Sequence, residues 1–474
     1  MPESIYVNGS RKYVPGIPAE IDASSLSGRS VASGILAVVG TFPTMPQSVP
    51  QRFTRASAIR AYDPTDESLA LLASLAFKPS PDDAVGSPEA VYLVNQKANT
   101  QAASSILDGV VLKAKVWGLK GNRTRAVWTT STKSLTVNRE GLTETFTVKA
   151  DPLGSVDLDL ANFVGYVRAS SSGVAFTWKR DPVAFAGGTV TISGMPTVKV
   201  DGPISFALES VPATDVVLTV TGTNKVTGAS LVETVTFVGG AAVVQKTTTG
   251  SFSAIASITG TGPLAYTGEV EVLGYSLNAD AATHRSVASI LNLASQLGHG
   301  WAVAQTSPSA SSIPADSLDP LGLDEDAPVG DSTPSTLTAY AYQLSRLLNG
   351  STLVEPTLLL NSGLSATNED AFLFGGTEGA DGWTAAFDSL LPLDVSLVVP
   401  LSGAISEHTL ARDHCIEAAS SEAERQAWVG VVAGETLADI AANYTKVINS
   451  RYVALIGQGA TVRHPISGAL VEVG

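Results

Sequence analysis

Gly34-Ile35-Leu36-Ala37-Val38-Val39-Gly40-Thr41 is an unbroken apolar run closed by glycine near each end. It shows no polar alternation, so neither side of an extended chain here is fitted to water, and the run predicts a strand buried on both faces. Such a strand needs a layer of structure on each side. Downstream, Glu67 to Phe77 sets Leu69, Leu72, Ala73 and Ala76 at helical spacing, and Ala90-Val91-Tyr92-Leu93-Val94 reads as a second buried strand. One strand-helix-strand piece cannot bury both of its own faces, so the rest of the core must come from elsewhere in the chain.

The texture changes from about Lys113 to Thr, Val, Ser and Gly. Thr143 to Val148 and Val216 to Thr221 alternate at period two, with turn residues between them, which predicts antiparallel β-structure. A β-rich connecting region over 113–179 leads into an immunoglobulin-like β-sandwich over 180–275, its clearest strands being Thr189 to Ile192, Val216 to Thr221, Leu231 to Phe237 and Glu269 to Val272. Beyond Asp280 helical and apolar segments alternate again. Helices are expected at His284 to Gln296, Leu337 to Leu348, Trp383 to Leu391, Glu407 to Ala419 and Leu437 to Asn449. Strands are expected at Trp301 to Ala304, Thr357 to Leu360, Val395 to Val399, Ala427 to Val432 and Tyr452 to Ile456. Strands spaced by single helices predict a largely parallel sheet covered on both faces.

The fold class expected is therefore α/β plus all-β: a discontinuous, doubly wound αβ core (30–112 and 276–474) interrupted by the connecting region and the inserted antiparallel sandwich. Residues 1–29 precede it as an extended arm, rich in Ser, Pro and Gly, in which Ile5, Val7, Tyr13, Val14 and Ile17 form apolar strips suited to strand addition. Within it, Pro15 is expected where no ladder N–H is needed and Gly16 where the chain turns.

Composition narrows the function. Over 474 residues, 44% hydrophobic against 15% charged describes packed domains and not a disordered chain. Lys plus Arg number 29 against 44 Asp plus Glu, and the resulting charge of -15 repels a phosphate backbone. Cys415 is the single cysteine, which excludes an intramolecular disulfide and multi-cysteine metal sites. The start, Met1-Pro2-Glu3-Ser4-Ile5-Tyr6, lacks the basic and apolar regions of a signal peptide, so synthesis and retention in a cytoplasm are expected. The charge-free stretches are broken by Gly and Pro or dominated by Ser and Thr, so no membrane insertion is expected.

Candidate chemistry is thin. Gly375-Gly376-Thr377-Glu378-Gly379 precedes a helix and could present N–H groups to an anion. It lacks the Lys-Ser/Thr of a P-loop and the spacing of Gly-x-Gly-x-x-Gly, and Glu378 and Asp381 would repel phosphate. It reads as a structural turn, as does Gly457-Gln458-Gly459. His414 and Cys415, adjacent on a helix, diverge by about 100° and cannot pair as base and nucleophile, and His408 is no better placed. His284, His299 and His464 show no ligand spacing. The acidic stretch Asp316 to Asp331 lacks the alternating ligand pattern of a calcium loop and reads as a solvated surface loop. Trp383, Phe387 and Leu390 share a helical face and read as core. No catalytic, cofactor-binding or metal residue is assigned.

Four segments, in order, resemble the sheath protein of contractile phage tails. They are Tyr13-Val14-Pro15-Gly16-Ile17; Val38-Val39-Gly40-Thr41 with Pro43; Lys113 to Asn122, ending Gly118-Leu119-Lys120-Gly121-Asn122; and Leu373-Phe374-Gly375-Gly376-Thr377-Glu378-Gly379. Gly40, Gly118, Gly121, Asn122, Gly375, Gly376 and Gly379 carry the match as structural positions. The family pattern continues past the last strand, whereas this sequence ends at Leu470-Val471-Glu472-Val473-Gly474.

The resemblance implies a non-enzymatic structural subunit without cofactor, made in the host cytoplasm and built into the virion tail. Its implied partners are further copies of itself in stacked helical rings, the tail tube protein, and the baseplate and tail terminator proteins, with no direct nucleic-acid contact. The implied action is contraction that drives the tube through the host envelope, with residues 1–29 as the link between subunits. The alternatives are an αβ nucleotide- or cofactor-binding enzyme and a surface adhesin using the sandwich.

Overall fold

The computed structural model describes residues 5–7, 10–12, 34–78, 86–149, 151–158, 163–195, 202–264, 266, 268–297, 301–321, 335–432, 435–444, 449–456, 460–463 and 470–473. Tyr13, Val14, Pro15, Gly16, Ile17, His299, Asp324, Glu325, Asp326, Asp331, Gly457, Gln458, Gly459 and His464 lie outside these residues. Among the described residues the α-helices are α1 (Ala56–Tyr62), α2 (Glu67–Phe77), α3 (Val287–Ser295), α4 (Tyr340–Leu348), α5 (Trp383–Asp388), α6 (Ile405–Ser420) and α7 (Leu437–Asn443). The chain forms two compact units. The first comprises Met1–Ala102, Ala114–Arg123 and Phe374–Gly474, and the second Ala103–Lys113 and Thr124–Leu373.

In the first unit the Gly34 run becomes the strand Ile35–Gly40, inside a six-stranded sheet ordered Val453–Ile456, Gln426–Gly430, Leu397–Pro400, Ile35–Gly40, Ala90–Asn95, Gln51–Phe53. The first five strands run parallel and the short edge strand Gln51–Phe53 is antiparallel. Period two sends alternate residues to opposite sides. Ala37, Val39, Val94, Val398, Ala427 and Val429 join Phe387 of α5, Ala411 and Cys415 of α6, and Tyr444. Val38, Val91 and Leu93 join Ile59 of α1, Leu69 and Ala73 of α2, and Phe42, Met45 and Phe53. Each fully buried aliphatic side chain contributes roughly 1.5–3 kcal/mol, so the central strand is held from both sides. Helix α2 begins where Asp66 Oδ1 accepts from the N–H groups of Ser68 (2.9 Å) and Leu69 (3.1 Å). Ile5–Val7 pairs antiparallel with Ser10–Lys12, as does Ala460–Arg463 with Leu470–Val473.

The second unit is mostly antiparallel. Its sandwich consists of a five-stranded sheet, Phe163–Ser170, Gly173–Ala184, Glu269–Asp280, Ser205–Leu208, Gln245–Thr247, and a four-stranded sheet, Thr189–Ile192, Phe252–Thr261, Val216–Asn224, Ser230–Phe237. Inward residues such as Phe206, Val272, Leu218, Val220, Phe237 and Ile258 form one apolar cluster, which continues into Leu153, Val156, Ile290, Leu291, Trp301 and Leu318.

Three expectations change here. Residues 103–112 and 276–373, read as parts of the αβ core, lie in the second unit, and 114–123, read as part of the connecting region, lie in the first. Within them Trp301–Gln305 is not a parallel strand: it pairs antiparallel with Gly154–Leu158. The apolar pattern fixed the strand but not its partner, and Trp301 meets Phe176 edge to face at 5.8 Å between centroids. Asp319, read as part of a solvated acidic loop, is nearly buried. Its carboxylate accepts from Tyr340 N (2.7 Å), Thr338 Oγ1 (2.9 Å) and Ala341 N (3.4 Å), supplying the cap that Ala339 cannot give α4. Burial raises its pKa from the ordinary carboxylate value, with these hydrogen bonds opposing the rise.

Candidate functional site: the glycine-rich junction

The described motif residues that carry the family resemblance meet in the first unit, at the carboxyl ends of its parallel strands. In open α/β sheets this is where a crevice for ligands forms. Here chain segments fill it. The strand Ala90–Asn95 is followed by Gln96-Lys97-Ala98-Asn99-Thr100, which reads as a polar loop and acts as the hub.

Asn95 is fully buried. Its Oδ1 accepts from the N–H groups of Phe42 (3.0 Å) and Lys97 (3.1 Å), and its Nδ2 donates to the carbonyls of Met45 (2.8 Å) and Lys97 (2.9 Å). All four hydrogen-bonding positions of the amide are used. Asn99 Nδ2 donates to Pro43 O at 3.0 Å. The turn after Gly40 is thereby fixed to the end of the neighbouring strand.

Gly118, Gly121 and Asn122 lie on the 3-10 segment Gly118–Arg123. Gly118 N donates to Thr100 O at 2.9 Å. Asn122 grips the glycine-rich loop at two points: its Nδ2 donates to Gly376 O, and Gly376 N donates to its Oδ1, both at 2.8 Å. Thr100 holds the same loop from the other side. Its hydroxyl donates to Gly375 O (2.7 Å) and accepts from Thr377 N (2.8 Å). Further along, Gly382 N donates to Gln96 O (2.8 Å), Gln96 Nε2 donates to Asp381 Oδ1 (3.0 Å), and Lys97 forms an ion pair with Asp381. Those contacts hold the Asp381 carboxyl below its ordinary pKa, the hydrogen bond from Lys97 most of all. Lys120 reaches Asp63 at 2.6 Å, tying the 3-10 segment to the turn between α1 and α2.

Gly118, Gly121, Gly376 and Gly379 are all required by close approach to backbone, the last two most tightly. A Cβ on Gly376 would sit 2.3 Å from Gly118 O, and one on Gly379 would sit 2.1 Å from Ala98 O. No side chain fits at either. Gly40 faces the Leu401 side chain instead, which can yield.

The loop that could have cradled an anion spends the amides of Gly376 and Thr377 on Asn122 and Thr100. Its chemistry is that of a backbone clasp. The hub residues Asn95, Gln96, Asn99 and Thr100 went unread in the sequence. Their signal was four amide and hydroxyl side chains within six positions, immediately after a buried strand.

His408, His414 and Cys415 sit elsewhere in the same unit, while His284 lies in the second unit with its Nδ1 3.1 Å from Ser289 Oγ. His414 Nε2 accepts from Arg425 Nη1 (3.2 Å), and Arg425 also donates to the carbonyls of Leu390 (3.0 Å) and Leu393 (3.1 Å). Burial, with the neighbouring guanidinium, holds His414 down to about 4. Burial pushes the Cys415 thiol up to about 11, so at neutral pH it carries no thiolate. His408 Nε2 donates to Ser402 O at 2.7 Å, and burial lowers its pKa too. Among the described residues no group of three or more His, Cys, Asp or Glu is placed to hold a metal, and no helix is long and apolar enough to cross a membrane.

No family model and no curated protein matches the sequence. Among solved structures the chain is similar to a sheath tail protein from Desulfitobacterium hafniense, at 10% identity and a TM-score of 0.36, over 99% of this chain and 59% of that one. It is also similar to a sheath tail protein from Listeria innocua, at 10% identity and a TM-score of 0.35, over 95% of this chain and 56% of that one. The chain thus spans less than three fifths of either.

Proposed function

We propose that this protein is the structural subunit of a contractile tail sheath. The observation that supports the reading most is the convergence of its described motif residues. Asn122 and Gly376, 254 positions apart, clasp each other at 2.8 Å, and the turn after Gly40 joins the same junction through Asn95 and Asn99. A resemblance built on separate short segments predicts no such meeting unless the segments serve one structure.

On this reading the first unit has a doubly wound core. The subunit polymerises with copies of itself in stacked rings around the tail tube, bounded by the baseplate and the tail terminator, as part of the virion tail. It contracts by exchanging one set of contacts between subunits for another, so that the extended lattice is a trapped state. Residues 1–29, with Ile5, Val7, Tyr13, Val14, Pro15, Gly16 and Ile17, link neighbours, and the 180–275 region decorates the subunit. The use of the Gly376 and Thr377 amides on internal partners weighs against a nucleotide-binding enzyme.

Negative-stain electron microscopy of the purified chain tests the reading. Striated tubes or stacked rings are expected. A species that stays monomeric at every concentration, with no hollow assemblies, would refute it.

A further inference from the structure

In the second unit a groove of about 580 Å³ lies between Thr147, Lys149 and Asp151, the 3-10 turn Pro308–Ser312 and α4. Its apolar wall includes the buried Ile313, the half-buried Tyr342 and the exposed Leu347. Lys149 and Arg346 line it as cations, and Asp151 is the acidic member of that lining. Arg346 lies over the Tyr342 ring, 5.9 Å from its centroid. Among the described residues neither Lys149 nor Arg346 has a carboxylate within ion-pair distance. On a chain of charge -15, an exposed pair of unmatched cations beside an apolar wall is a local inversion of the general surface.

The opposite arrangement is found at the carboxyl end of α6 in the first unit. Ile416 is 46% exposed there, with Glu417 beside it, Glu422 just beyond the helix, and Glu424 further on, 4.0 Å from Arg451. The last turn of α6 carries no basic residue. Carboxylates at a helix C-terminus add to its negative pole and repel the free carbonyls. Among the described residues Glu417 and Glu422 have no cation within ion-pair distance. An exposed apolar residue with Glu417 next to it and Glu422 just past the helix, on a negative pole, matches an apolar groove edged by cations in both charge and polarity.

We infer that the groove of one copy receives the α6 end of a second copy of this chain, Lys149 and Arg346 meeting Glu417 and Glu422 while Ile416 enters between Tyr342 and Leu347. The inference rests on the self-assembling reading above and names one of its contacts. Groove and knob are different surfaces, so the contact is heterologous and each subunit keeps one of each free to propagate. Two copies of like net charge repel at long range and attract only where local charge is opposite. The contact therefore selects register, and it weakens as salt screens it.

Charge exchange tests it, with assembled mass measured by sedimentation against concentration in low and high salt. Lys149→Glu with Arg346→Glu, and separately Glu417→Lys with Glu422→Lys, change exposed residues, and an unchanged melting temperature establishes that each variant is folded. Each pair should raise the concentration for half-assembly about tenfold or more. Combining all four substitutions in one chain, or mixing the two variants in equal amounts, should restore assembly to within about threefold of wild type. Assembly of either pair as in wild type, or failure of both rescues, would overturn the contact while leaving wild-type tubes intact. A wild-type chain that never assembles would overturn the self-assembling reading itself, and this contact with it.

Discussion

Removing the Asn122 side chain with Asn122→Ala isolates the clasp. The substitution deletes two hydrogen bonds of 2.8 Å and orphans both the N–H and the C=O of Gly376 in a partly buried place. A neutral hydrogen bond contributes about 0.5–1.5 kcal/mol net, and a buried group left unpaired costs about 1–3 kcal/mol. Partial access to water relieves some of that penalty, so the sum comes to about 2–4 kcal/mol for the unit containing the parallel sheet. Against a total of about 5–15 kcal/mol for a typical domain, that is a large fraction. Urea unfolding followed by hydrogen exchange at the Gly376 and Thr377 amides reads the loss locally, without assuming that both units unfold together. Those two amides should lose protection by a factor of about 30 or more, the equivalent of 2 kcal/mol. Asn138→Ala, at an exposed position of an antiparallel strand in the other unit, serves as the control and should stay within about 0.5 kcal/mol of wild type. An Asn122→Ala protein no less protected than this control would show that the clasp contributes nothing.

Gly379→Ala would place a Cβ 2.1 Å from Ala98 O, a backbone atom that cannot move aside alone, so it should cost about 2–4 kcal/mol in the same assay, whereas Gly375→Ala meets no atom within 4 Å and acts only through its left-handed φ of 86°. A smaller loss at Gly379 than at Gly375 would contradict the close-approach account. His414, at about 4 in the fold against an ordinary 6.5, binds its proton more readily once unfolded, so its share of stability is full above about pH 6.5 and is lost as the pH falls toward 4, amounting to about 3 kcal/mol. Wild type minus His414→Gln, compared by urea midpoint at pH 7 and pH 4, should show that change, and parallel profiles for the two proteins would refute it.

What could be read from the sequence was whatever burial alone dictates. The Gly34 run was legible as doubly buried because no polar residue interrupts it, and α2 could be read from Glu67 to Phe77 because Leu69, Leu72, Ala73 and Ala76 recur at helical spacing, of which Leu69 and Ala73 are buried. Trp301–Gln305 was legible as a strand, but its antiparallel partner was not, since pairing depends on which edge is free when the chain arrives. Asp319 misled for a related reason. A carboxylate is read as solvated unless its partner is near in sequence, and its partners at Thr338, Tyr340 and Ala341 are 19 to 22 positions away. The glycines of the junction were picked out by family resemblance, while its hub went unread because Asn95 and Thr100 look like ordinary loop residues until the segments they hold are brought beside them.

The junction also explains why a sheet assembled from distant parts of the chain stays in register. Apolar packing on either face of Ile35–Gly40 favours burial but tolerates sliding by two residues, which returns the same faces to the same layers. Polar bonds of fixed direction do not tolerate it. A two-residue slip of the C-terminal segment would break Asn122 to Gly376, Thr100 to Thr377 and Gln96 to Gly382 together, leaving several backbone groups unpaired at about 1–3 kcal/mol each, more than any apolar contact regained nearby would offset. The apolar faces therefore supply most of the stability, and the clasp supplies the uniqueness of the arrangement. That division of roles locates the tolerance to mutation: conservative apolar changes on the sheet should be absorbed, while single-atom additions at Gly376 or Gly379 should not.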